Sequence, residues 1–245
     1  MNTAAVIIIG NEILSGRTQD TNVAFLGRRL SDLGIGLLEV RIIPDDEETI
    51  IRTVNQYRSQ FTYVFTTGGI GPTHDDITSA SVARAFDVSL EENPEAVASM
   101  EKYYGRKNMN EARMKMACVP VTATLIPNPV SGAPGFQIEN VFVLPGVPEI
   151  LQAMFDGITH RLTGGPPILS HSVCTNLRES TLAEGLGLIQ NMYPDVAIGS
   201  YPYFKRGKLG VNLVMRSTNA ISLDKTREEV RELVLQLNGK ILLLD

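Results

Sequence analysis

The feature that most constrains the fold is the alternation of short apolar runs and helical patterns between residues 4 and 86. Residues 4–9, 37–43 and 63–65 are rich in β-branched or aromatic side chains, which favours buried strands. An order of β-α-β-α-β-α requires crossover connections and buries both faces of the sheet. The sequence therefore predicts an α/β fold, a three-layer doubly wound domain with a mostly parallel sheet. The helical patterns fall on Val23, Leu26, Leu30 and Leu33, on Ile50, Ile51, Val54 and Tyr57, and on Ala80, Val82, Ala83 and Phe86.

The segment from Thr163 to Pro167 has the glycine and proline content of an interdomain linker. Before it, we expect a helix from Pro94, a second short helix over 106–116, strands over 123–126 and 141–144, and a final helix after Pro148. Beyond it, the patterns predict strand, helix, two strands and helix, and then an apolar edge strand over 241–244. The first domain is predicted to span residues 1–165, and a small α+β domain residues 168–245.

Composition excludes several classes of protein. A net charge of −5 and a pI of about 5.3 argue against broad binding to nucleic acid or to an anionic membrane. Cys118 and Cys174 are isolated, which predicts neither a disulfide framework nor a zinc site. The amino terminus lacks the pattern of a signal peptide, and no apolar stretch is long enough for a membrane span. We therefore expect a cytoplasmic protein.

The stretch from Thr66 to Thr78 joins a predicted strand to a predicted helix through Gly-Gly-Ile-Gly-Pro-Thr-His-Asp-Asp. Glycines in such a turn allow the backbone to approach a ligand, and a helix start presents N–H groups to anions. Thr78 is a candidate N-cap. Asp75 and Asp76 would repel an anion unless a divalent cation bridged them to phosphate. The alternative is that these acids serve only the helix dipole.

Ligands of open α/β sheets bind outside the carboxyl ends of the strands. The strand pattern places five loops there, and their residues form the candidate site. We predict Asp76, Asp45 and Glu12 as catalytic residues and Asp76 and Asp75 as metal ligands, although Asp45 is equally well explained as an acid at a helix start. The predicted ligand- and phosphate-binding residues are Gly10, Asn11, Thr67, Gly68, Gly69, Gly71, Thr73, Ser131, Gly146 and Pro148.

Three motifs in the same order resemble the competence/damage-inducible protein A (CinA) family. They are Asn11-Glu12-Ile13-Leu14 with Asp20-Thr21-Asn22, then Thr67 to Asp76, then Leu144-Pro145-Gly146-Val147-Pro148. The resemblance covers roughly residues 4–162 and implies a molybdopterin-binding domain like those of MoaB and MogA, proteins of molybdenum cofactor biosynthesis. The segment after the linker resembles the KH-like module of the same family. Larger members add a nicotinamide-nucleotide amidohydrolase domain, whose activity is not carried over.

The resemblance implies that Asp76 and Asp45 belong to a site for a pterin phosphate or nucleotide and its divalent metal. Family members are associated with metal-dependent hydrolysis of ADP-ribose, and a similar domain of eukaryotic FAD synthases with hydrolysis of FAD. We therefore expect a nucleotide diphosphate hydrolase that uses Mg²⁺, or Co²⁺ or Mn²⁺. The alternatives are a non-catalytic molybdopterin or nucleotide binder and an enzyme like the molybdopterin adenylyltransferases.

The expected partners are small molecules, and the second domain lacks the Gly-x-x-Gly loop with which KH modules clamp RNA. No nucleic acid and no membrane is expected as a partner. The apolar run over 241–244 suits an edge strand that seeks a partner, which favours a homo-oligomer, either a dimer or a trimer.

Overall fold

The computed structural model describes residues 2–205 and 207–242. The chain folds into two compact units, residues 1–165 and 166–245. Thr163 and Gly165, which the sequence places in the linker, are hydrogen-bonded to the first unit through Tyr63 and Leu33. Within the described residues, no helix combines the length and the apolar character that crossing a membrane requires.

The first unit is built around a six-stranded sheet with the order β2-β1-β3-β8-β7-β6. Strands β2, β1, β3 and β8 run parallel, and β7 is antiparallel to both of its neighbours. The predicted α/β fold with a mostly parallel sheet is confirmed. Its elements are β1 (Thr3–Ile9), α1 (Asn11–Leu14), α2 (Asn22–Asp32), β2 (Gly36–Ile43), α3 (Glu47–Gln60), β3 (Tyr63–Thr67), α4 (Thr78–Ala85), β4 (Leu90–Glu92), α5 (Pro94–Tyr104), α6 (Glu111–Lys115), β5 (Cys118–Pro120), β6 (Thr124–Ile126), β7 (Gly135–Ile138), β8 (Val141–Leu144) and α7 (Pro148–Ile158).

Both faces of the sheet are buried, because β1 sends alternate side chains into two separate cores. Val6 and Ile8 pack with α2 and α7 on one face, while Ile7 and Ile9 pack with α3 and α4 on the other. On the first face Phe65 stacks on Phe142, with ring centroids 5.1 Å apart. The apolar runs are continuous rather than alternating because water reaches neither face of β1.

The structure differs from the sequence prediction mainly in its shortest elements. The segment predicted as one helix over 106–116 is a 3-10 turn (Arg106–Asn108) followed by α6. Strands β4 and β5 form a separate two-stranded sheet that the sequence did not predict, and β7 was also missed. These strands have three or four residues, which is too few for a period of two to be recognised.

The second unit has the order β9 (Leu169–Thr175), α8 (Glu179–Met192), β10 (Ala197–Lys205), β11 (Lys208–Ser217), α9 (Ala220–Gln236) and β12 (Ile241–Leu242). The sheet order is β10-β11-β9-β12, with all neighbours antiparallel. This confirms the predicted α+β unit, and its topology is that of the ferredoxin-like split βαβ fold, a closer description than KH-like. The predicted terminal edge strand pairs with β9 over Ile241–Leu242, and residues 243–244 lie outside the described residues.

A polar network joins β2 to α3 on one face of the sheet. The hydroxyl of Tyr57, which is fully buried on α3, donates to Glu39, whose carboxylate also pairs with Arg41 at 2.9 Å. Burial, followed by the hydrogen bond to Glu39, raises the pKa of Tyr57 to about 12. The hydrogen bonds from Tyr57 and then Arg41 lower the pKa of Glu39. The network therefore favours neutral tyrosine and ionised glutamate in the folded state.

We expect Tyr57→Phe to remove part of the alkaline sensitivity of the first unit. The pKa of Tyr57 is raised in the folded state, so folding is stabilised by the neutral form of this side chain. That stabilisation is fully present below pH 10 and is lost as the pH rises through about 12. The free energy of unfolding of the wild type should fall by about 2–3 kcal/mol more than that of the variant across this range. Urea unfolding at a series of pH values measures the difference. Tyr103→Phe, at an exposed position, is the control, and equal slopes for Tyr57→Phe and wild type would contradict the prediction.

Candidate functional site

Three loops meet at the carboxyl edge of the first sheet, where the strand order reverses on either side of β1. Their common point is Gly68, directly after β3. A Cβ atom on Gly68 would lie 2.2 Å from the carbonyl oxygen of Ile9, and one on Gly146 would lie 3.5 Å from the Cα of Gly68. The ends of β1, β3 and β8 thus converge closely at Gly68, and this approach requires a residue without a Cβ.

The turn after β3 depends on two glycines with positive φ, Gly68 at 102° and Gly69 at 68°. This turn brings their carbonyl groups back towards α4, where the hydroxyl of Thr78 donates to Gly68 at 3.0 Å and its N–H donates to Gly69 at 2.9 Å. The prediction that Thr78 is the N-cap is wrong: Thr78 is the first helical residue, and Ile77 precedes it without a side-chain cap. Its hydroxyl is used to close the glycine turn.

Two carboxylates and a hydroxyl converge in the second half of this loop. The hydroxyl oxygen of Thr73 lies 2.6 Å from Oδ1 of Asp75 and 2.5 Å from Oδ2 of Asp76, and the N–H of Thr73 donates to the same oxygen of Asp76 at 2.8 Å. Gly71 allows the close approach, because a Cβ there would lie 2.6 Å from Asp76 Oδ2. The Lys115 ammonium donates to the carbonyl of Thr73. Asp76 is thus engaged by the loop and does not cap α4.

The threonine hydroxyl has only one proton, so it can donate to only one of the two carboxylates at a time. Its donation to Asp75 is the main cause that lowers the pKa of that carboxyl. The hydroxyl oxygen of Thr73 lies 2.6 Å from a carboxylate oxygen of Asp75 and 2.5 Å from one of Asp76. A cluster of three oxygens suits a hard cation such as Mg²⁺, which prefers oxygen ligands. Among the residues that the structure describes, no group of three or more His, Cys, Asp and Glu side chains is spaced to hold a metal. Further ligands would therefore come from substrate and water.

The adjacent acids Asp45 and Asp46, which follow β2, have different roles. Asp46 caps α3 by accepting a hydrogen bond from the N–H of Thr49 at 2.9 Å, and its contacts with Thr49 lower its pKa. Asp45 instead accepts from the N–H of Asn11 at 2.8 Å, which ties the end of β2 to the loop after β1. The capping hydrogen bond of α3 therefore comes from Asp46 and not from Asp45.

Glu12 lies in a short helix, α1, where the sequence predicted a loop. Glu12 is exposed, and its carboxylate folds back over Gly10, where a Cβ would lie 2.5 Å from Oε1. Within the described part of the chain this carboxylate has no hydrogen-bonded partner or ion pair. It remains available to a ligand or to water beside the loops that meet at Gly68.

The remaining predicted residues lie at the same edge but differ in their surroundings. Gly146 and Pro148 are exposed at the start of α7, whereas Thr67 is buried at the end of β3. Ser131 accepts a hydrogen bond from Asn128 at 2.7 Å, and its loop packs on α5 through Gly132. The structure thus brings most of the predicted loops together and ties Ser131 to a different element.

Sequence reasoning did not select two residues that the structure places at this site, Asn22 and Lys115. Asn22 is 3% exposed at the start of α2 and donates to the carbonyl of Gly146 at 2.8 Å. Its Oδ1 is buried, and among the residues that the structure describes it has no hydrogen-bond partner. The sequence could have indicated Asn22 as a site residue, because it belongs to the motif Asp20-Thr21-Asn22. Lys115 lies 42 residues from Thr73 along the chain, and no local pattern could have indicated their contact.

Comparison with known proteins identifies both units. Residues 5–164 match the family model described as "Probable molybdopterin binding domain", and residues 167–238 match "FAD synthase, middle domain". The predicted resemblance to the molybdopterin-binding part of CinA is confirmed. The second unit matches the FAD synthase middle domain and not an amidohydrolase.

Relatives and a solved structure agree with these matches. A protein of Pyrobaculum calidifontis is 36% identical over 82% of this chain and 81% of its own length. A protein of Archaeoglobus fulgidus is 34% identical over 96% of this chain and 98% of its own length. The chain is 31% identical to a probable FAD synthase of Caenorhabditis elegans over 95% of this chain but only 50% of that protein.

The crystal structure of the protein CinA, of unknown function, from Thermoplasma acidophilum covers 65% of this chain and 97% of its own length, with 34% identity and a TM-score of 0.62. The matched fraction corresponds in extent to the first unit. The fold, the family model and the similar proteins lead to one conclusion: the chain belongs to the family of probable molybdopterin-binding domains, and the region after that domain matches the FAD synthase middle domain.

Proposed function

We propose that the first unit binds a nucleotide diphosphate or pterin phosphate together with a divalent metal and hydrolyses a phosphoanhydride, as an ADP-ribose or FAD pyrophosphatase does. The observation that carries the proposal is the position of the Thr73 hydroxyl between the carboxylates of Asp75 and Asp76. Mg²⁺ is commonly held by one or two carboxylates together with water and substrate phosphates, and does not need a cage of protein ligands. A pair of acids beside a glycine turn meets this requirement.

The roles of the residues follow from their contacts. Asp76 and Asp75 would hold the metal, which would neutralise negative charge on the phosphates during the reaction. The N–H of Gly68 donates to the carbonyl of Leu144, so the backbone N–H groups of Gly69 and Gly71 and the hydroxyl of Thr73 would orient the diphosphate. The exposed Gly146 loop, with Asn22 behind it, would form the opposite wall.

Glu12 is the better candidate for activating water, because Asp45 already accepts a hydrogen bond from Asn11. In the proposed reaction the water oxygen forms a bond to one phosphorus atom while the anhydride P–O bond breaks. The proton of the water passes to the carboxylate of Glu12, and the leaving phosphate departs with the electron pair of the broken bond. Asp45 acts as a positioning residue that holds the loop carrying Glu12.

The similarity to FAD synthases supports a dinucleotide substrate over a mononucleotide. The second unit matches the middle domain of FAD synthase, and nearly the whole chain aligns with half of a probable FAD synthase. FAD and ADP-ribose both contain an adenosine diphosphate joined through a phosphoanhydride. The competing function is molybdopterin or nucleotide binding without catalysis, which the name of the family favours.

A turnover screen with ADP-ribose, FAD, NAD and ATP, each with Mg²⁺, Mn²⁺ and Co²⁺, tests the proposal. We expect AMP and a second phosphate monoester from ADP-ribose or FAD only when metal is present, with ¹⁸O from labelled water in one product. Metal-dependent binding of these ligands without products would favour the non-catalytic binder. Transfer of AMP to an added pterin phosphate, without ¹⁸O in the product, would favour an adenylyltransferase.

A further inference from the structure

Strand β2 forms an edge of the first sheet, and three of its apolar side chains are exposed. Leu38 is 66% exposed, Ile42 is 43% and Val40 is 39%. Edge strands in monomeric proteins are usually protected by charges, proline or a covering element. Val40 and Ile42 occupy alternate positions and share the face of their β1 partners Val6 and Ile8, and Leu38 precedes them at a shift in the register between β1 and β2. An uncovered apolar row on an open edge indicates an interaction surface.

The backbone of this edge is also available for pairing. The carbonyl of Ile43 accepts from the N–H of Gly10, so the polar groups of Ile43 point towards β1. Successive residues of a strand direct their N–H and C=O groups to opposite edges. The backbone groups of Ile42 and Val40 therefore point outwards, away from the sheet.

The sequence Leu38-Glu39-Val40-Arg41-Ile42 is complementary to itself when it is reversed. We propose that β2 pairs antiparallel with β2 of a second copy of this chain, across a two-fold axis at Val40. Each Leu38 then faces Ile42 of the other copy, and the two Val40 residues face each other, so the apolar rows join on one side. The two sheets become a single continuous sheet.

Charge complementarity on the other side of the strand supports a second copy as the partner. In the same register Glu39 of one copy faces Arg41 of the other, twice in the dimer because the interface is symmetric. Opposite charges directly across an antiparallel pair are stabilising, and like charges are destabilising. Glu39 is already held by Tyr57 and Arg41 within its own chain, which fixes its carboxylate at the edge. A parallel pairing of the same strands in register would place like charges opposite each other.

The proposal is tested by charge reversal, with mass in solution as the measurement. Wild type should be a dimer by analytical ultracentrifugation. Glu39→Arg and Arg41→Glu should each raise the dissociation constant by at least about tenfold, because each substitution creates two like-charge pairs. The double variant Glu39→Arg/Arg41→Glu should dimerise again. An equimolar mixture of the two single variants should form a heterodimer, because its facing residues are complementary.

A second pair of variants keeps the test decisive if a charge reversal unfolds the protein. Val40→Lys places two ammonium groups at the two-fold axis and should give a monomer, whereas Val121→Lys, at an exposed valine outside the edge strand, should leave the dimer intact. Circular dichroism confirms folding in each case. A monomeric wild type, a trimer, or dimers unaffected by Val40→Lys and both charge reversals would overturn the proposal. Because the readout is mass, its failure is distinguishable from a failure of the proposed hydrolysis.

Discussion

Asp76→Asn is expected to reduce hydrolysis by about a hundredfold or more while the first unit remains folded. Even residues that only orient a metal ligand typically cost 10–100-fold when they are mutated, so a direct ligand should cost at least as much. Asparagine keeps an oxygen that can accept the hydrogen bond from the N–H of Thr73, so the loop should retain its shape. Steady-state kinetics at saturating metal, on the substrate identified in the turnover screen, measure the effect.

Thermal unfolding supplies a readout of metal binding that does not depend on turnover. Without metal, the melting temperature of Asp76→Asn should equal or exceed that of wild type, because one of two neighbouring negative charges has been removed. Metal and nucleotide together should raise the melting temperature of wild type and have little effect on the variant, since both bind only the folded state. Asp32→Asn, an exposed carboxylate on α2, is the control. Turnover of Asp76→Asn at the wild-type rate would refute the metal role and leave the binder hypothesis ahead.

Gly68→Ala should strongly destabilise the first unit. The added methyl group would lie 2.2 Å from the backbone oxygen of Ile9, and the φ of 102° is unfavourable for any residue with a Cβ. Strain at such a position together with overpacking should lower the free energy of unfolding by about 3–5 kcal/mol. Ligand binding should weaken as well, because Gly68 is the point where three loops meet. Urea unfolding and ligand titration measure the two effects.

Gly157→Ala is the matched control for this substitution. Gly157 lies in α7, and no atom of another element in the described part of the chain lies within 4 Å of its added Cβ, so alanine should stabilise the helix by about 0.5–1 kcal/mol. Gly69→Val should resemble Gly68→Ala, since its Cβ would meet the Thr78 hydroxyl at 2.2 Å and its φ is also positive. Unchanged nucleotide affinity in a folded Gly69→Val protein would remove the glycine turn from the site.

The contrast between Asp45 and Asp46 shows where local sequence rules stop. Both acids precede α3, and the helix dipole favours either of them at that position. Asp46 takes the capping bond, while Asp45 is recruited by Asn11, a residue 34 positions away in the chain. Thr78 shows the same limit, because a hydroxyl at a helix start is normally read as a cap. Here the backbone of the glycine turn folds back within its reach.

The sequence by itself determined the longer elements, because the period of apolar residues reports which face of each element is buried. It also determined the glycine turn, the acids that follow it and the family to which the chain belongs. Only the tertiary structure decided the sheet order, the short strands β4, β5 and β7, and the placement of Thr73 between two carboxylates. It also decided that the apolar side chains of β2 remain uncovered. These features depend on which distant segments meet, and periodicity along the chain carries no information about such contacts.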